Sequence, residues 1–298
     1  MIRIISTHIS DPVFVYFQKK LLDKFISDDF EFIVFDDSEN KNNFYSRRLG
    51  SFKPDGIKKV CSELSIRRIE IPDSVHSNPS LVHKNISSIS NDPTGWCANS
   101  VQFSVNWCFD NLDRGDIVFS IDGDMFPILS ISITEFMKGY NLSGVPQHRE
   151  NIEYIWNGIF GFRVGEIERD LFQWAPIPKC DVGGMMRYYL EKNPDYKKIW
   201  HLWSCTWNMN MLANKENINP PHVDRFLQTM DYKIPESLEY FTSRDPRNVK
   251  TGDTEMFFSE LYHPGFLHYR AGGNWDSFDR HESRKKNLFN FFDILLKE

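Results

Sequence analysis

Asp122-Gly123-Asp124 places two carboxylates one residue apart, straight after the apolar run Asp116-Ile117-Val118-Phe119-Ser120-Ile121. A run this short and β-branched predicts a buried strand. On extended backbone, side chains at i and i+2 point the same way, roughly 6–7 Å apart. That spacing suits a pair sharing one hard divalent cation, directly or through water. The glycine between them leaves room for a bulky anion to approach the backbone. Carboxylate oxygens, few protein ligands and space for phosphate oxygens describe a Mg2+- or Mn2+-diphosphate site. A bare Asp-x-Asp also suits a plain acidic turn, so the rest of the chain has to decide.

A second segment, Phe266-Leu267-His268-Tyr269-Arg270-Ala271-Gly272-Gly273-Asn274-Trp275, bears on that decision. A histidine in a short strand beside a glycine-rich turn can supply an imidazole and bare backbone N–H groups to one anion–metal site. His263 is a rival ligand without an adjacent glycine turn.

The elements that must position these groups follow from periodicity. Ile2 to Ser6 predicts a first strand, and Ser10-Asp11-Pro12 a helix start, with a capping side chain before proline. Phe14, Phe17, Leu21 and Phe25 then recur on one face of a helix running to about Ile26. Phe30 to Phe35 predicts a second strand ending on Asp36-Asp37-Ser38. A β-α-β opening implies a parallel sheet whose ligands gather at the carboxyl ends of its strands. Thr7, Asp36-Asp37 and Asp122-Gly123-Asp124 would share that edge. Further on, Cys61–Ile71 predicts a strand region, and Asp73–Asp92 a loop or short turns. Trp96–Asn111 predicts a helix, Phe136 lies in a short one, and Ser143–Gln147 and Tyr154–Arg163 predict strands. The small-large alternation of the last suggests close backbone approach. Asp181-Val182-Gly183-Gly184 is expected to open a helix over Met185–Leu190, which makes Asp181 a candidate cap. Trp200–Asp253 has no clear period.

Composition limits the partners. The chain has 298 residues, 41% hydrophobic and 15% aromatic, enough for a large core. A net charge of −6 argues against a nucleic-acid groove. No apolar stretch approaches the roughly 18–20 residues of a membrane span. Met1-Ile2-Arg3-Ile4-Ile5 reads as strand, not signal peptide, and a cytoplasmic location is expected. Cys61, Cys97, Cys108, Cys180 and Cys205 form no Cys-x-x-Cys pair, so reduced thiols are expected.

In these motifs and their order the chain resembles GT-A-fold glycosyltransferases, with most likeness to the glycogenin-like, family-8 type. The carrying segments are Asp122-Gly123-Asp124, Trp156-Asn157-Gly158, Asp181, and His268-Tyr269 through Trp275. Asn274 stands where that family has lysine, with Arg270 the cation offered in its stead. Asp181 is followed by Val-Gly-Gly, not Gln-Asp. The resemblance implies a single α/β domain over residues 1–298 with a Rossmann-like, mostly parallel central sheet flanked by helices. Residues 1–125 would form the nucleotide-binding half, and 126–298 the acceptor half with the C-terminal metal and diphosphate segment. It implies transfer of a sugar from a nucleotide-sugar donor, UDP-linked, to a glycan or other hydroxyl, with retention. Asp122, Asp124 and His268 would hold Mn2+ or Mg2+. Asp122, Thr7 and Asp37 would face the nucleotide, and Gly272, Gly273 and Asn274 its diphosphate. Trp156 and Asn157 would border the donor sugar or acceptor, and Asp181 would face the reacting carbon.

Other classes remain open at this level. A phosphohydrolase of the haloacid-dehalogenase kind also carries Asp-x-Asp after a strand, but near its N-terminus and with Thr or Val two residues on. A sugar nucleotidyltransferase wants a glycine-rich loop after strand 1, which Ser6-Thr7-His8-Ile9-Ser10 lacks. A non-catalytic carbohydrate-binding relic of the fold is the third. Asp253-Thr254-Glu255 is a rival acidic motif, needed as a base only by an inverting enzyme.

Overall fold

The computed structural model describes residues 1–9, 11–38, 55–84, 86, 88–90, 92–204, 259–269 and 278–297. The chain opens with β1 (Ile2–His8), α1 (Pro12–Phe25) and β2 (Phe30–Asp36). The Asp11 carboxylate caps α1 by accepting from the Val13 amide at 3.0 Å, and proline fills the first helical position. Next come α2 (Asp55–Glu63), β3 (Arg67–Glu70), α3 (Asp73–Ser77) and α4 (Pro93–Asn111). β4 (Ile117–Asp122) is followed after two residues by β5 (Met125–Pro127), then α5 (Ile133–Phe136), β6 (Leu142–Arg149) and β7 (Ile152–Arg163). The described chain ends with α6 (Met186–Lys192), β8 (Lys197–Lys198), β9 (His201–Ser204), β10 (Ser259–Tyr262), β11 (Phe266–Tyr269) and α7 (Phe278–Lys297).

Seven strands form one sheet in the order β3-β2-β1-β4-β7-β6-β8. Only β7 runs against the rest, pairing antiparallel with β4 and β6. The protein is therefore mixed α/β with a mostly parallel central sheet and flanking helices, as the β-α-β opening implied. The central strands bury both faces, which is why they read as unbroken apolar runs. Ile5, Phe35 and Val118 pack with Ala98, Val101 and Val105 of α4. Ile4, Val34 and Phe119 pack on the other face with Val15 and Leu22 of α1.

A second, antiparallel sheet has the order β5-β11-β10-β9. Its neighbour is a third apolar cluster, where Phe14, Phe17 and Leu21 of α1 meet Leu288, Phe291, Phe292 and Leu295 of α7. Only Gly123 and Asp124 separate β4 from β5. The Asp-x-Asp segment is thus the place where the chain leaves the large sheet for the small one.

Several element boundaries differ from the sequence expectation, among them α4, which begins at Pro93 and not Trp96, and α3, a short helix where a loop or turns were expected. Cys61 lies in α2, where it and Ile57 form a buried i, i+4 pair, and the strand begins only at Arg67. The helix expected over Met185–Leu190 is found at Met186–Lys192, and it carries no side-chain cap, so Asp181 is not its cap. Most of Trp200–Asp253 lies outside the described residues.

Candidate metal centre

β1 and β4 are parallel neighbours, and their register sets Thr7 beside Asp122. His8 pairs with Asp36 across β2. Thr7, Asp36 and Asp122 therefore end their strands at one edge of the sheet, as expected. Asp124, however, is not in extended backbone: Gly123 and Asp124 form a turn. The turn replaces the strand spacing, and one ligand atom each from Asp122, Asp124 and His268 lie within 4.8 Å of one another.

Gly123 has a different use from the one its position suggested. A Cβ there would lie 2.6 Å from the Thr7 carbonyl oxygen, so the missing side chain admits β1 rather than a ligand. Beneath the turn sits a polar support that the sequence reading missed. Gln18 of α1 donates its amide to the carbonyls of Asp122 and Met125, each at 2.8 Å. Its Oε1 lies 2.9 Å from His8 Nε2, which also lies 3.1 Å from Ser6 Oγ. Burial drives the His8 imidazole down to about 4, against the pull of Gln18 and Asp36, so it is neutral. The signal was available: Gln18 is a polar residue among the apolar positions of α1 and is fully buried.

His268 reaches the turn from the small sheet. β11 pairs with β5, setting His268 opposite Met125, and the Tyr269 amide donates to the Asp124 carbonyl at 2.8 Å. His268 Nε2 lies 3.3 Å from Asp124 Oδ1, and its Nδ1 lies 3.1 Å from Glu260 Oε2. Burial works to lower its pKa, but Asp124 and Glu260 overcome it and push the ring up to about 10. Asp122 moves to about 7, through burial first and the neighbouring Asp124 second. Carboxylates crowded into a poorly solvated corner are what a divalent cation relieves. Two carboxylates and an imidazole also suit Mn2+ or Mg2+ while leaving positions for phosphate oxygens. The residues present fit such an ion. His263, the rival, is buried against Phe136 and stands outside the group.

Of the remaining expected residues, Trp156 touches this centre. Trp156 is half-buried, stacked on Tyr262 at 5.3 Å and tilted against His268 at 5.1 Å. Its indole folds over Gly158, where a Cβ would lie 2.2 Å from the ring. The β6–β7 register shifts here, so Asn157, Gly158 and Ile159 have no partner in β6. Asn157 donates its amide to Cys97 Sγ at 3.4 Å. Burial, with Asp122, Asp181 and Asp37 adding to it, pushes the Cys97 thiol up, so all three carboxylates bear on one sulfur.

Asp181 sits in a turn ahead of α6, its carbonyl accepting from the Gly184 amide at 2.9 Å. It does not cap the helix. Its Oδ1 is buried and makes no well-formed hydrogen bond, with the Tyr154 hydroxyl close by. Burial raises its pKa, opposed by the Gly183 amide and Arg149.

Asp37 is buried and already engaged. Its Oδ1 lies 2.9 Å from His76 Nε2, and its Oδ2 accepts from the Ser100 hydroxyl at 2.8 Å. His76 in turn stacks on Trp96 at 4.0 Å. Gly272, Gly273, Asn274, Arg270, Asp253 and Glu255 lie outside the described residues. Cys61, Cys97, Cys108 and Cys180 are free thiols, and Cys205 lies outside the described residues. Among the described residues no helix is long and apolar enough to cross a membrane.

No protein-family model matches the chain, and no curated protein does. Among solved structures, it is similar to the galactosyltransferase LgtC in complex with donor and acceptor sugar analogs. The identity is 12%, the TM-score 0.31, and the match covers 54% of this chain and 57% of that one. An active-site mutant of LgtC matches at 13% identity and TM-score 0.31, over the same 54% and 57%. The chain thus spans little more than half the length of either structure. A TM-score this low carries no argument, and the α/β class stands on the chain's own strand order.

Proposed function

We propose that the chain is a GT-A-type glycosyltransferase. It moves a sugar from a nucleotide-sugar donor, UDP-linked, to a hydroxyl of a glycan or other acceptor, with retention at the sugar carbon. The observation that carries this reading is the convergence of Asp122, Asp124 and His268 at the carboxyl edge of the parallel strands. Mn2+ or Mg2+ held there supplies Lewis acidity against the charge that builds on the departing diphosphate.

The chain's own groups take the other tasks. Thr7, beside Asp122, faces the nucleotide, and Asp37 supports the same rim through His76 and Ser100. Gly272, Gly273 and Asn274 offer amides to the diphosphate, so residues 1–125 bind the nucleotide with help from the C-terminal segment. Trp156 and Asn157 border the sugar. Asp181 places negative charge beside the reacting carbon as it becomes positive. Its buried Oδ1, which makes no well-formed hydrogen bond, supports that role. Retention needs no separate base to deprotonate the acceptor.

A thermal-shift panel of nucleoside diphosphates and sugar nucleotides, with and without Mn2+, tests this. A ligand that binds only the folded state raises the melting temperature by mass action. UDP with Mn2+ should stabilise the chain and UDP alone should not. Equal shifts with and without metal, or a strong preference for a non-nucleotide ligand, would contradict the proposal.

A further inference from the structure

Behind His268 lies a buried acid that the transfer chemistry does not itself use. Glu260 is His268's register partner across the antiparallel β10–β11 pair. Its Oε2 lies 3.1 Å from His268 Nδ1 and accepts from the Tyr262 hydroxyl at 2.8 Å. Glu260 and Tyr262 are two apart on one strand, so both project to the face that His268 occupies. Trp156 stacks on Tyr262 and closes over the histidine ring.

We propose that Glu260 is a positioning residue for the metal centre, fixing which nitrogen of His268 faces the ion, with Tyr262 holding the Glu260 carboxylate in place. The inference rests on the reading of Asp122, Asp124 and His268 as a divalent-cation site. A neutral imidazole has one N–H and one lone pair. An ionised carboxylate only accepts, so the N–H of the metal-bound ring belongs on Nδ1, against Glu260. The lone pair is then left on Nε2, the nitrogen 3.3 Å from Asp124 Oδ1. A partner of this kind also makes the liganding nitrogen a stronger base. Glu260 is not itself a ligand in this arrangement, because it approaches Nδ1 while Asp124 approaches Nε2.

The test is calorimetric titration of Mn2+ into the full chain and its Glu260→Gln, Glu260→Leu and Tyr262→Phe variants. It is joined by the imidazole 15N spectrum of each Mg2+-loaded protein. Glu260→Leu should weaken Mn2+ binding about 10- to 100-fold. Glu260→Gln keeps an oxygen that accepts from Nδ1–H and should recover most of that loss. Tyr262→Phe should cost less, and nothing further when added to Glu260→Leu. The 15N spectrum should show a protonated Nδ1 in the unaltered protein and in Glu260→Gln. If Glu260→Leu fails to fold, Glu260→Gln, Tyr262→Phe and the spectrum still decide. Mn2+ binding as tight in Glu260→Leu as in the unaltered protein, or metal on Nδ1, would overturn the role of Glu260 alone. Failure of the unaltered chain to bind Mn2+ would overturn the metal reading and this inference with it.

Discussion

The two sides of the site are built in opposite ways. On the metal side, the Asp-x-Asp turn is held by Gln18, Gln18 is met by His8, and His268 is backed by Glu260 and Tyr262. On the side of Asp181, the buried Oδ1 and the neighbouring Tyr154 hydroxyl make no well-formed hydrogen bond. The first side is fixed in advance by the chain's own bonds, as stabilisation of developing charge requires. The second keeps unused hydrogen-bonding capacity, which the hydroxyls of a sugar are suited to meet.

The largest expected effect separates the two sides through activity. Asp124→Ala removes a metal ligand, while the Asp124 carbonyl keeps its bond from Tyr269. Turnover should fall at least ~100-fold, or ~3 kcal/mol of barrier, with little change in melting temperature. Turnover and melting of mutant and parent side by side check this, and retained activity would remove the Asp-x-Asp from the mechanism.

Acid should attack the metal side next. Free imidazole takes a proton near 6.5, whereas folded His8 holds off until about 4. His8's contribution is therefore fully present above pH 6.5 and is lost as the pH drops from there to 4, about 3 kcal/mol, while Asp122, raised to about 7, changes stability in the opposite sense over the same window. His83, also lowered to about 4 by burial, adds a loss of the same sign. Urea melts of the parent and a His8→Asn variant across that window supply the measurement, and a stability difference between them that does not change with pH would contradict a buried neutral His8.

Gln18→Ala should cost about 2 kcal/mol of stability, because it strips the amide from two carbonyls at the turn. It should also weaken Mn2+ binding without touching any ligand. Chemical melts beside a metal titration read both effects, and unchanged metal affinity would show the turn holds itself.

The smallest effect comes from the other side. Asp181→Asn keeps the shape and removes a buried charge that lacks a full set of partners. Stability should stay level or rise, donor affinity should hold, and turnover with an identified acceptor should fall about tenfold, ~1.4 kcal/mol. Calorimetry of donor binding beside turnover decides; if both stay at the parent level, Asp181 is structural and Asp253 and Glu255 become the residues to test.

What the sequence made legible follows local rules. Asp11-Pro12 marked the start of α1, and the apolar run before Asp122 marked β4, because capping and two-faced burial act on neighbouring residues. The edge shared by Thr7 and Asp122 followed from the handedness and direction of a β-α-β unit. What stayed hidden depends on pairing across long separations. Glu260 looks like an ordinary strand residue until β10 is set against β11. The turn at Gly123-Asp124 arises because β5 joins a different sheet from β4, which no local pattern announces. α7 carries a helical period in Leu288, Phe291, Phe292 and Leu295, but that it packs on α1 depends on a contact across most of the chain.

The central claim is that Asp122, Asp124 and His268 hold a divalent cation which in turn holds a nucleoside diphosphate. Calorimetric titration of UDP into the chain, once in saturating Mn2+ and once in excess EDTA, tests it most directly. One UDP per chain should bind in Mn2+, with no heat of binding in EDTA. Binding of equal affinity in both would contradict the account.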